Sequence, residues 1–260
     1  MMNQPPMILV ALMALIITVS FNIPQLNINP VTTYNNYINS NNFVTTYFTC
    51  NLPSASGNNN NNMNINMINL AQPSFDYYTL AQQWPPGVCK KEPHKCKRIP
   101  RRFTIHGLWP SNTIQLHPRE CIKPSSFDFG KIQGMLPQLS IDWPNLKGVN
   151  KKFWKAQWDK HGSCSQFKQS YYFQYAMNLR AMDNLTSILE VEGITPGGSY
   201  HKHAITNAIV KKIGVDPRLT CVHNNSLTEI HFCFHPTIPI YENCPSHHQT
   251  CTTATVLFEA

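Results

Sequence analysis

The chain has 260 residues and a formal net charge of +8 at pH 7. That length suits one domain with a hydrophobic core plus an extension, or two small domains. All charged residues lie at or after Asp76, so the positive charge favours an anionic partner of the C-terminal part: nucleic acid, an acidic protein or an anionic surface. Beyond residue 20 no stretch is apolar enough to span a bilayer, which excludes an integral membrane protein after removal of a leader.

The first 20 residues have the pattern of a secretory signal peptide. The apolar run Met7–Val19 has the length of a signal core and is too short for a membrane-spanning helix, although the preceding MMNQPP lacks Lys and Arg. We therefore predict a signal peptide over about residues 1–20 and secretion to the extracellular space. Nine cysteines fit this oxidising route, and sequons at Asn184 and Asn224 predict two glycosylation sites.

Residues 21–74 differ from the rest of the chain in composition. They are Asn-rich and uncharged, and they include the run Asn58–Asn62. Such a tract has little apolar surface to bury, so we predict that it is disordered. A pro-segment, a linker and misannotated coding sequence are the alternative interpretations. The segment also holds Cys50, the odd cysteine of the nine.

The globular pattern begins with the segment FDYYTLAQQWPPGVC. This segment predicts a strand that ends at the turn formed by Pro85 and Pro86. The segment RRFTIHGLWP predicts a second strand, which we expect Gly107 to end.

Helices follow in the middle of the chain and strands close it. Three helices are predicted at residues 151–161, 171–189 and 203–213. Two strands are predicted in the segments LTEIHFCFH and ATVLF. This order predicts an α+β domain over residues 75–260, with a mainly antiparallel sheet as its core.

Eight cysteines lie in this domain, at positions 89, 96, 121, 164, 221, 233, 244 and 251. Their spacing leaves many pairings open. Zinc binding is the alternative, but the chain has no CxxC pair, and His201 and His203 lie far from any cysteine in the sequence. We predict neither a metal nor a cofactor.

Two segments carry the candidate chemistry. In FWKAQWDKHGSCS, Gln157, Lys160 and His161 share one face of a predicted helix at the i, i+3, i+4 spacing. In FTIHGLWPSN, His106 lies at a predicted strand end, where a rigid element holds a functional side chain. Either histidine alone is more often structural than catalytic.

Together the two histidines suit metal-independent cleavage of RNA. One histidine takes the proton of the 2′-OH, and the other protonates the departing 5′ oxygen. Lys160 stabilises the negative charge that develops on the phosphate. DNA lacks the 2′-OH and is excluded as a substrate. Lys160 also opposes protonation of His161, which keeps that imidazole available as a base, whereas the C-terminal end of the helix acts in the opposite direction.

The aromatic residues of the same segments have two interpretations. Trp154 and Trp158 lie four residues apart and are expected in the core. Trp109 and Phe153 are candidates for stacking on RNA bases, with packing as the alternative. Gln83 is a third candidate substrate-binding residue.

The two segments resemble the active-site segments of the ribonuclease T2 family, and more closely those of the S-ribonucleases, the pistil proteins of plant self-incompatibility. The similarity runs from about Phe75 to Phe258. It implies His106 as the general acid, His161 as the general base and Lys160 as the stabiliser of the transition state.

The resemblance also implies four disulfides: Cys89–Cys96, Cys121–Cys164, Cys221–Cys251 and Cys233–Cys244. Trp109 matches a base-contacting position of the family. Many relatives carry His-Glu where this chain has Ala156 and Gln157, but S-ribonucleases often have Gln at the second position. We therefore keep Gln157 in the candidate catalytic set.

The function implied is a secreted endoribonuclease that acts on single-stranded RNA through a 2′,3′-cyclic phosphate, as the pistil determinant of self-incompatibility. Its partners would be RNA and pollen F-box proteins of a ubiquitin ligase, and it would act as a monomer. A general secreted plant ribonuclease for phosphate scavenging or defence is the first alternative. The second is an inactive relative kept for storage or binding, which the retained His106, Lys160 and His161 argue against.

Overall fold

The computed structural model divides the chain into two units, residues 1–66 and 67–260. The structure describes residues 32–38, 44–50, 74–90, 92–121, 126–222, 225–245 and 250–260. The predicted signal peptide and the sequon residue Asn224 lie outside these described residues.

An antiparallel strand pair is described in the first unit. Strands β1 (Thr32–Ile38) and β2 (Val44–Cys50) pair with Thr32 opposite Cys50. Thr, Tyr, Val and Phe are frequent in these strands and favour extended backbone. Both strands lie within residues 21–74, for which we predicted disorder; the other residues of that segment, except Ser74, lie outside the described ones.

The second unit contains strands and helices in the order of an α+β domain. Its strands are β3 (Tyr77–Gln83), β4 (Thr104–Ser111), β5 (Ser199–His201), β6 (Arg218–Val222), β7 (Ser226–Phe234), β8 (Tyr241–Glu242) and β9 (Thr255–Leu257). Its α-helices are α1 (Pro85–Cys89), α2 (Leu136–Asp142), α3 (Asn150–Lys160), α4 (Gln169–Ala181), α5 (Leu185–Val191) and α6 (Lys202–Ile213). No helix in this described part is both long and apolar enough to cross a membrane.

One sheet links the strands of the second unit. The main path runs β4-β3-β7-β9-β5, and β6 and β8 also pair with β7. Most pairs are antiparallel, as predicted, but β9 runs parallel to β7, with Ser226 opposite Leu257. The sheet is therefore mixed, because the chain reverses at β8 and then returns in the direction of β7.

A large hydrophobic cluster joins the strands to the helices. Its fully buried aromatic side chains include Trp84, Phe103, Trp143, Tyr172, Phe173, Phe232, Phe234 and Phe258. Trp154 and Trp158 belong to the same cluster and are 2% and 3% exposed, which confirms their predicted place in the core.

The helices differ from the prediction mainly in their ends. The single helix expected over residues 171–189 is two helices, α4 and α5, because the chain turns at Asp183 and Asn184. The side chain of Asn184 accepts a hydrogen bond from the backbone N–H of Ser187 and so caps α5. Helix α6 ends at Gly214, whose φ of +86° is a left-handed conformation that glycine adopts without strain.

Four disulfides hold the second unit: Cys89–Cys96, Cys121–Cys164, Cys221–Cys251 and Cys233–Cys244. These are the pairings that the family resemblance implies. Cys121–Cys164 joins segments 43 residues apart and anchors the chain just after His161.

Candidate active site

Strand β4, which carries His106, lies at one end of the sheet path. An edge strand leaves backbone groups without a partner strand, and here two β4 carbonyls and that of Phe103 just before β4 accept hydrogen bonds from Trp143, Tyr172 and Arg180. The indole N–H of Trp143 donates to the carbonyl of His106 at 2.8 Å. The remaining two bonds run from Tyr172 to the carbonyl of Leu108 and from Arg180 to the carbonyl of Phe103. These bonds hold the backbone at His106 from the side opposite β3.

A β-bulge sets the direction of the His106 side chain. Ala81 pairs with Gly107 and Gln82 pairs with Ile105, so His106 is the extra residue on β4. A bulge leaves its extra residue outside the ladder and bends the strand, which re-aims the side chain.

Gly107 does not end the strand, contrary to our prediction, because β4 continues to Ser111. A Cβ at position 107 would overlap the indole of Trp109 and the side-chain amide of Gln157. This glycine is therefore required by close packing between β4 and α3, and the turn that we expected there is absent.

The end of α3 brings the second set of predicted residues to the site. Gln157, Lys160 and His161 line, together with His106, a cleft of about 400 Å³. Helix α3 ends at Lys160, and His161 is its C-cap residue. The backbone N–H of Glu120 donates to the carbonyl of Lys160 at 2.9 Å, which with the Cys121–Cys164 disulfide fixes this helix end.

Trp109 lines the cleft next to both histidines. Its ring centroid is 5.2 Å from that of His106 and 5.4 Å from that of His161. The indole N–H donates to the side-chain oxygen of Gln157 at 3.3 Å. Trp109 therefore packs against both histidine rings and is also accessible from the open cleft, so the structure is compatible with both interpretations of this residue.

Gln157 is buried, and its amide contacts Trp109. The structure thus shows Gln157 supporting the wall of the cleft beside His161.

A second depression of about 200 Å³ lies against His106 and contains the other two candidate substrate-binding residues, Gln83 and Phe153. The rings of Phe153 and His106 stack with centroids 6.2 Å apart. Gln83 is buried and donates to the carbonyl of Ile105 at 3.3 Å. His106 lines both depressions, so groups on either side of a bound phosphate have a place next to it.

Cavity size alone does not locate this site. Two larger depressions, of about 570 and 480 Å³, lie at the loop before α2 and between α5 and α6. Neither is lined by His106 or His161. The cleft is distinguished instead by its histidines and cations.

The electrostatic environment keeps His161 neutral. Burial lowers the pKa of His161 to about 3, and the charges of Lys160 and His106 act in the same direction. Arg119 and His117 add further positive charge. An imidazole with so low a pKa is unprotonated at neutral pH and is able to accept a proton.

Two residues of the cleft, His117 and Arg119, were not predicted from the sequence. Both line the cleft beside Lys160. In the described part of the chain, none of the ion pairs involves Arg119 or Lys160. A sequence signal for these two residues was the segment HPREC, which follows FTIHGLWPSN and ends at Cys121. It places His117 and Arg119 close to a cysteine whose disulfide lies just after the end of α3.

The groups behind His106 were also not predicted from the sequence. The Nδ1 atom of His106 lies 2.6 Å from a carboxylate oxygen of Glu229, and Nε2 of His231 lies 2.5 Å from the other oxygen. Arg218 donates to Nδ1 of His231 from two guanidinium nitrogens, at 2.9 and 3.2 Å. The alternation in LTEIHFCFH puts residues 229 and 231 on one face of a strand, but it does not show which strand lies beside them.

The second unit resembles known ribonucleases in sequence and in structure. The sequence model of the Ribonuclease T2 family matches residues 75–244. Ribonuclease S-2 of Nicotiana alata is 36% identical over 188 residues, which cover 68% of this chain and 85% of that protein. Extracellular ribonuclease LE of Solanum lycopersicum is 32% identical over 184 residues, which cover 65% of this chain and 80% of that protein.

A solved structure shows the same fold. The crystal structure of the SF11-RNase of Nicotiana alata, associated with gametophytic self-incompatibility, superposes with a TM-score of 0.65 at 33% identity. The superposition covers 72% of this chain and 100% of that one. Similarity of this extent identifies the family of the chain, and relatives with different printed roles match it at comparable identity.

Proposed function

We propose, from the premise that this chain belongs to the ribonuclease T2 family, that His106, Lys160 and His161 cleave single-stranded RNA by internal transesterification. The chain is an endoribonuclease of that family. In the proposed reaction the 2′ oxygen attacks the adjacent phosphorus, the bond to the 5′ oxygen breaks, and a 2′,3′-cyclic phosphate and a 5′-hydroxyl result. The observation that carries the proposal is the convergence of the two histidines and Lys160 on one cleft.

His161 is the proposed general base. Its pKa of about 3 leaves the imidazole neutral at physiological pH, so it is able to take the proton of the 2′-OH. The low pKa makes His161 a weaker base than a free imidazole, and in this proposal its fixed position beside the 2′-OH offsets that loss.

His106 is the proposed general acid. Its Nδ1 atom contacts the carboxylate of Glu229, which accepts a hydrogen bond from the ring. The imidazolium then gives its proton to the departing 5′ oxygen, which makes that oxygen a hydroxyl.

Lys160 is the proposed stabiliser of the phosphate charge that grows in the transition state. The described ion pairs leave Lys160 and Arg119 without an acidic partner, so their charges remain available to a phosphate. The excess of positive charge on the chain adds a long-range attraction for RNA.

The nucleosides on either side of the phosphate are proposed to occupy the two depressions that meet at His106. One offers the indole of Trp109, and the other offers Phe153 and Gln83. Aromatic rings in such positions stack on bases with little sequence preference.

The test is cleavage of a short single-stranded RNA by the purified second unit with its disulfides formed. We expect a 2′,3′-cyclic phosphate product, detected by mass spectrometry, with no cleavage when the scissile nucleotide is 2′-deoxy. A chelator should leave the rate unchanged, because the proposed mechanism uses only side chains. Cleavage of the 2′-deoxy substrate, or direct formation of a 3′-phosphate without the cyclic product, would refute the mechanism.

For the biological role we propose a secreted pistil ribonuclease of self-incompatibility, with pollen F-box proteins as partners. The similarity to Ribonuclease S-2 and to SF11-RNase of Nicotiana alata supports this role. The comparable similarity to Extracellular ribonuclease LE supports the alternative, a general secreted ribonuclease. Transcripts restricted to the style would favour the first role, whereas transcripts across roots and leaves would favour the second.

Secretion also leads to a proposal about the mature protein. The mature chain should begin near Phe75 and lack Cys50, since the family match begins at residue 75. Asn184 is exposed and should carry a glycan, and Asn224 is proposed as a second site. Mass spectrometry of the secreted protein, before and after removal of N-glycans, tests both points; a mature chain that retains residues 30–70 contradicts the first.

A further inference from the structure

The carboxylate of Glu229 is buried between two histidine rings. Its side chain is 13% exposed, and its two oxygens contact Nδ1 of His106 and Nε2 of His231. Burial alone would raise the pKa of Glu229, but the hydrogen bonds from His106 and His231 outweigh it and hold that pKa below its ordinary value. The group is therefore a carboxylate, and a carboxylate only accepts hydrogen bonds.

Arg218 decides which nitrogen of His231 carries the proton. A guanidinium only donates hydrogen bonds, and two of its nitrogens point at Nδ1 of His231. Nδ1 must therefore be an acceptor, so the proton of the neutral ring is on Nε2, which faces Glu229. Burial lowers the pKa of His231, which agrees with a neutral ring.

Glu229 in turn fixes the proton position of His106. One oxygen of Glu229 accepts from His231, and the other lies 2.6 Å from Nδ1 of His106, which must carry a proton to donate to it. The neutral form of His106 is then the Nδ1–H tautomer. Its Nε2 atom is left as the nitrogen that exchanges a proton with a ligand in the cleft.

Sheet register places these groups in a row. Arg218 on β6 pairs with His231 on β7, and Glu229 lies two residues before His231 on the same face. On the other side of β7, strand β3 places Ala81 opposite His231, and the bulge beside Ala81 turns His106 towards Glu229. The contact of Glu229 with His106 thus joins positions 123 residues apart, whereas Arg218 and His231 lie on the consecutive strands β6 and β7.

We propose that Arg218, His231 and Glu229 form a buried positioning chain that fixes the ring orientation and the proton position of His106. This inference rests on the proposed function, in which His106 is the general acid. None of the three residues needs to touch RNA for this role. Arg218 fixes the tautomer of His231, His231 and His106 share the carboxylate of Glu229, and Glu229 holds His106 with Nε2 towards the scissile phosphate.

Glu229→Gln is the central test, because an amide has only one acceptor oxygen in place of two. Arg218 keeps His231 as a donor, so the amide oxygen should turn to His231 and the amide NH₂ should face His106. We expect the neutral form of His106 to change from the Nδ1–H to the Nε2–H tautomer. We also expect kcat to fall by roughly 10- to 100-fold, the usual effect of removing a partner that orients a histidine, with KM nearly unchanged.

Nitrogen-15 NMR of protein labelled at histidine measures the tautomer directly, with the His106 signals assigned by their loss in His106→Ala. Thr228→Val is the matched control, since Thr228 is also buried on β7 but bonds to the carbonyl of Thr220. It should leave both the tautomer and kcat unchanged. Circular dichroism checks that each variant is folded.

A double variant tests whether Arg218 fixes the tautomer of His231. In Arg218→Met with Glu229→Gln, His231 is free to accept from the amide, so the amide oxygen becomes available to His106. We expect partial return of the Nδ1–H tautomer at His106. No return in the folded double variant would overturn the role of Arg218.

The parent protein alone already tests the inference. A parent whose neutral His106 is the Nε2–H tautomer would overturn the chain, even if every variant failed to fold. Full kcat in folded Glu229→Gln would also overturn it and leave the proposed function intact, provided that His106→Ala is inactive. A parent that does not cleave RNA would instead refute the proposed function. The tautomer of His106 would still show whether Arg218, His231 and Glu229 fix its proton position.

Discussion

His106 and His161 line the same cleft but have opposite electrostatic surroundings. The ring of His106 contacts the negatively charged carboxylate of Glu229. His161 is kept neutral by burial and by positive neighbours, with a pKa of about 3. A single residue type is thus suited to two roles, because the groups around each ring differ in sign.

The two histidines also differ in how the backbone holds them. His106 is the extra residue of a bulge in a strand, and side chains such as Trp143 hold its carbonyl. His161 caps a helix whose end is tied by a hydrogen bond from Glu120 and by the disulfide of Cys121. A strand and a helix end, which have separate supports, therefore bring the proposed acid and the proposed base together.

Removing either histidine should give the largest loss of activity. We expect His106→Ala and His161→Ala each to lower kcat by between about 100- and 10,000-fold, the range for general acid–base groups. His203→Ala, which removes an exposed imidazole on α6, is the control and should have the parent rate. Initial rates on a short RNA measure the effect. A full rate in either cleft variant would mean that the two rings are not an acid–base pair.

Lys160→Met should give the second-largest loss of activity. It removes the cation next to His161 and leaves the surroundings of His106 unchanged. Loss of the phosphate contact should lower kcat by roughly 100-fold, as for other donors that stabilise a developing charge. The pKa of His161 should also rise, since Lys160 is one of the charges that lower it. The acidic limb of the pH–rate profile would then move to higher pH.

Lys152→Met is the control for Lys160→Met, because Lys152 is exposed on the same helix and does not line the cleft. It should change neither kcat nor the acidic limb. An equal loss in both variants would show a general effect of charge on RNA binding.

Local sequence signals were enough to predict the position of His161, but not the surroundings of His106. The spacing of Lys160 and His161 at a helix end predicted that they lie together, and the cleft contains both. The motif around His106 predicted a strand, but not the bulge that directs the ring. A bulge depends on the partner strand, and the sequence of β4 does not contain that information.

The groups behind His106 were not predictable in the same way. Glu229 is 123 residues from His106, and Arg218 meets His231 only through the pairing of β6 with β7. Asn184 shows the reverse case: its side chain caps α5, a local signal that we interpreted only as part of a sequon. Contacts between strands need the register of the sheet, whether the strands are consecutive or far apart, whereas helix caps are visible in the sequence.

Gly107→Ala tests the close contact between β4, which carries His106, and α3, which His161 caps. The added methyl group would overlap the side chains of Trp109 and Gln157, which separate the acid from the base. We expect a loss of about 1–3 kcal/mol in the free energy of unfolding, the usual cost of overpacking, measured by urea titration. Gly134→Ala is the control, because a Cβ there would meet no atom within 4 Å. Equal stability of the two variants would show that β4 shifts freely against α3.

Gln157→Glu should give the smallest effect and the one most specific to the base. Position 157 lies one helical turn before His161, and its side-chain oxygen accepts from Trp109, a contact that a carboxylate is able to keep. A negative charge there favours the imidazolium, so the pKa of His161 should rise from about 3. Because the base acts only when it is neutral, the acidic limb of kcat/KM should move to higher pH.

Ala156→Glu is the matched control for Gln157→Glu, since it adds the same charge at an exposed position of α3. It should move the limb less, because solvent screens its charge. Lys160 is able to pair with the new carboxylate at 157, so we predict the direction of the shift and not its size. Full pH profiles at fixed ionic strength measure both variants. A limb that stays in place would show that position 157 is not coupled to the base, and a shift to lower pH would mean that His161 acts as the acid and His106 as the base.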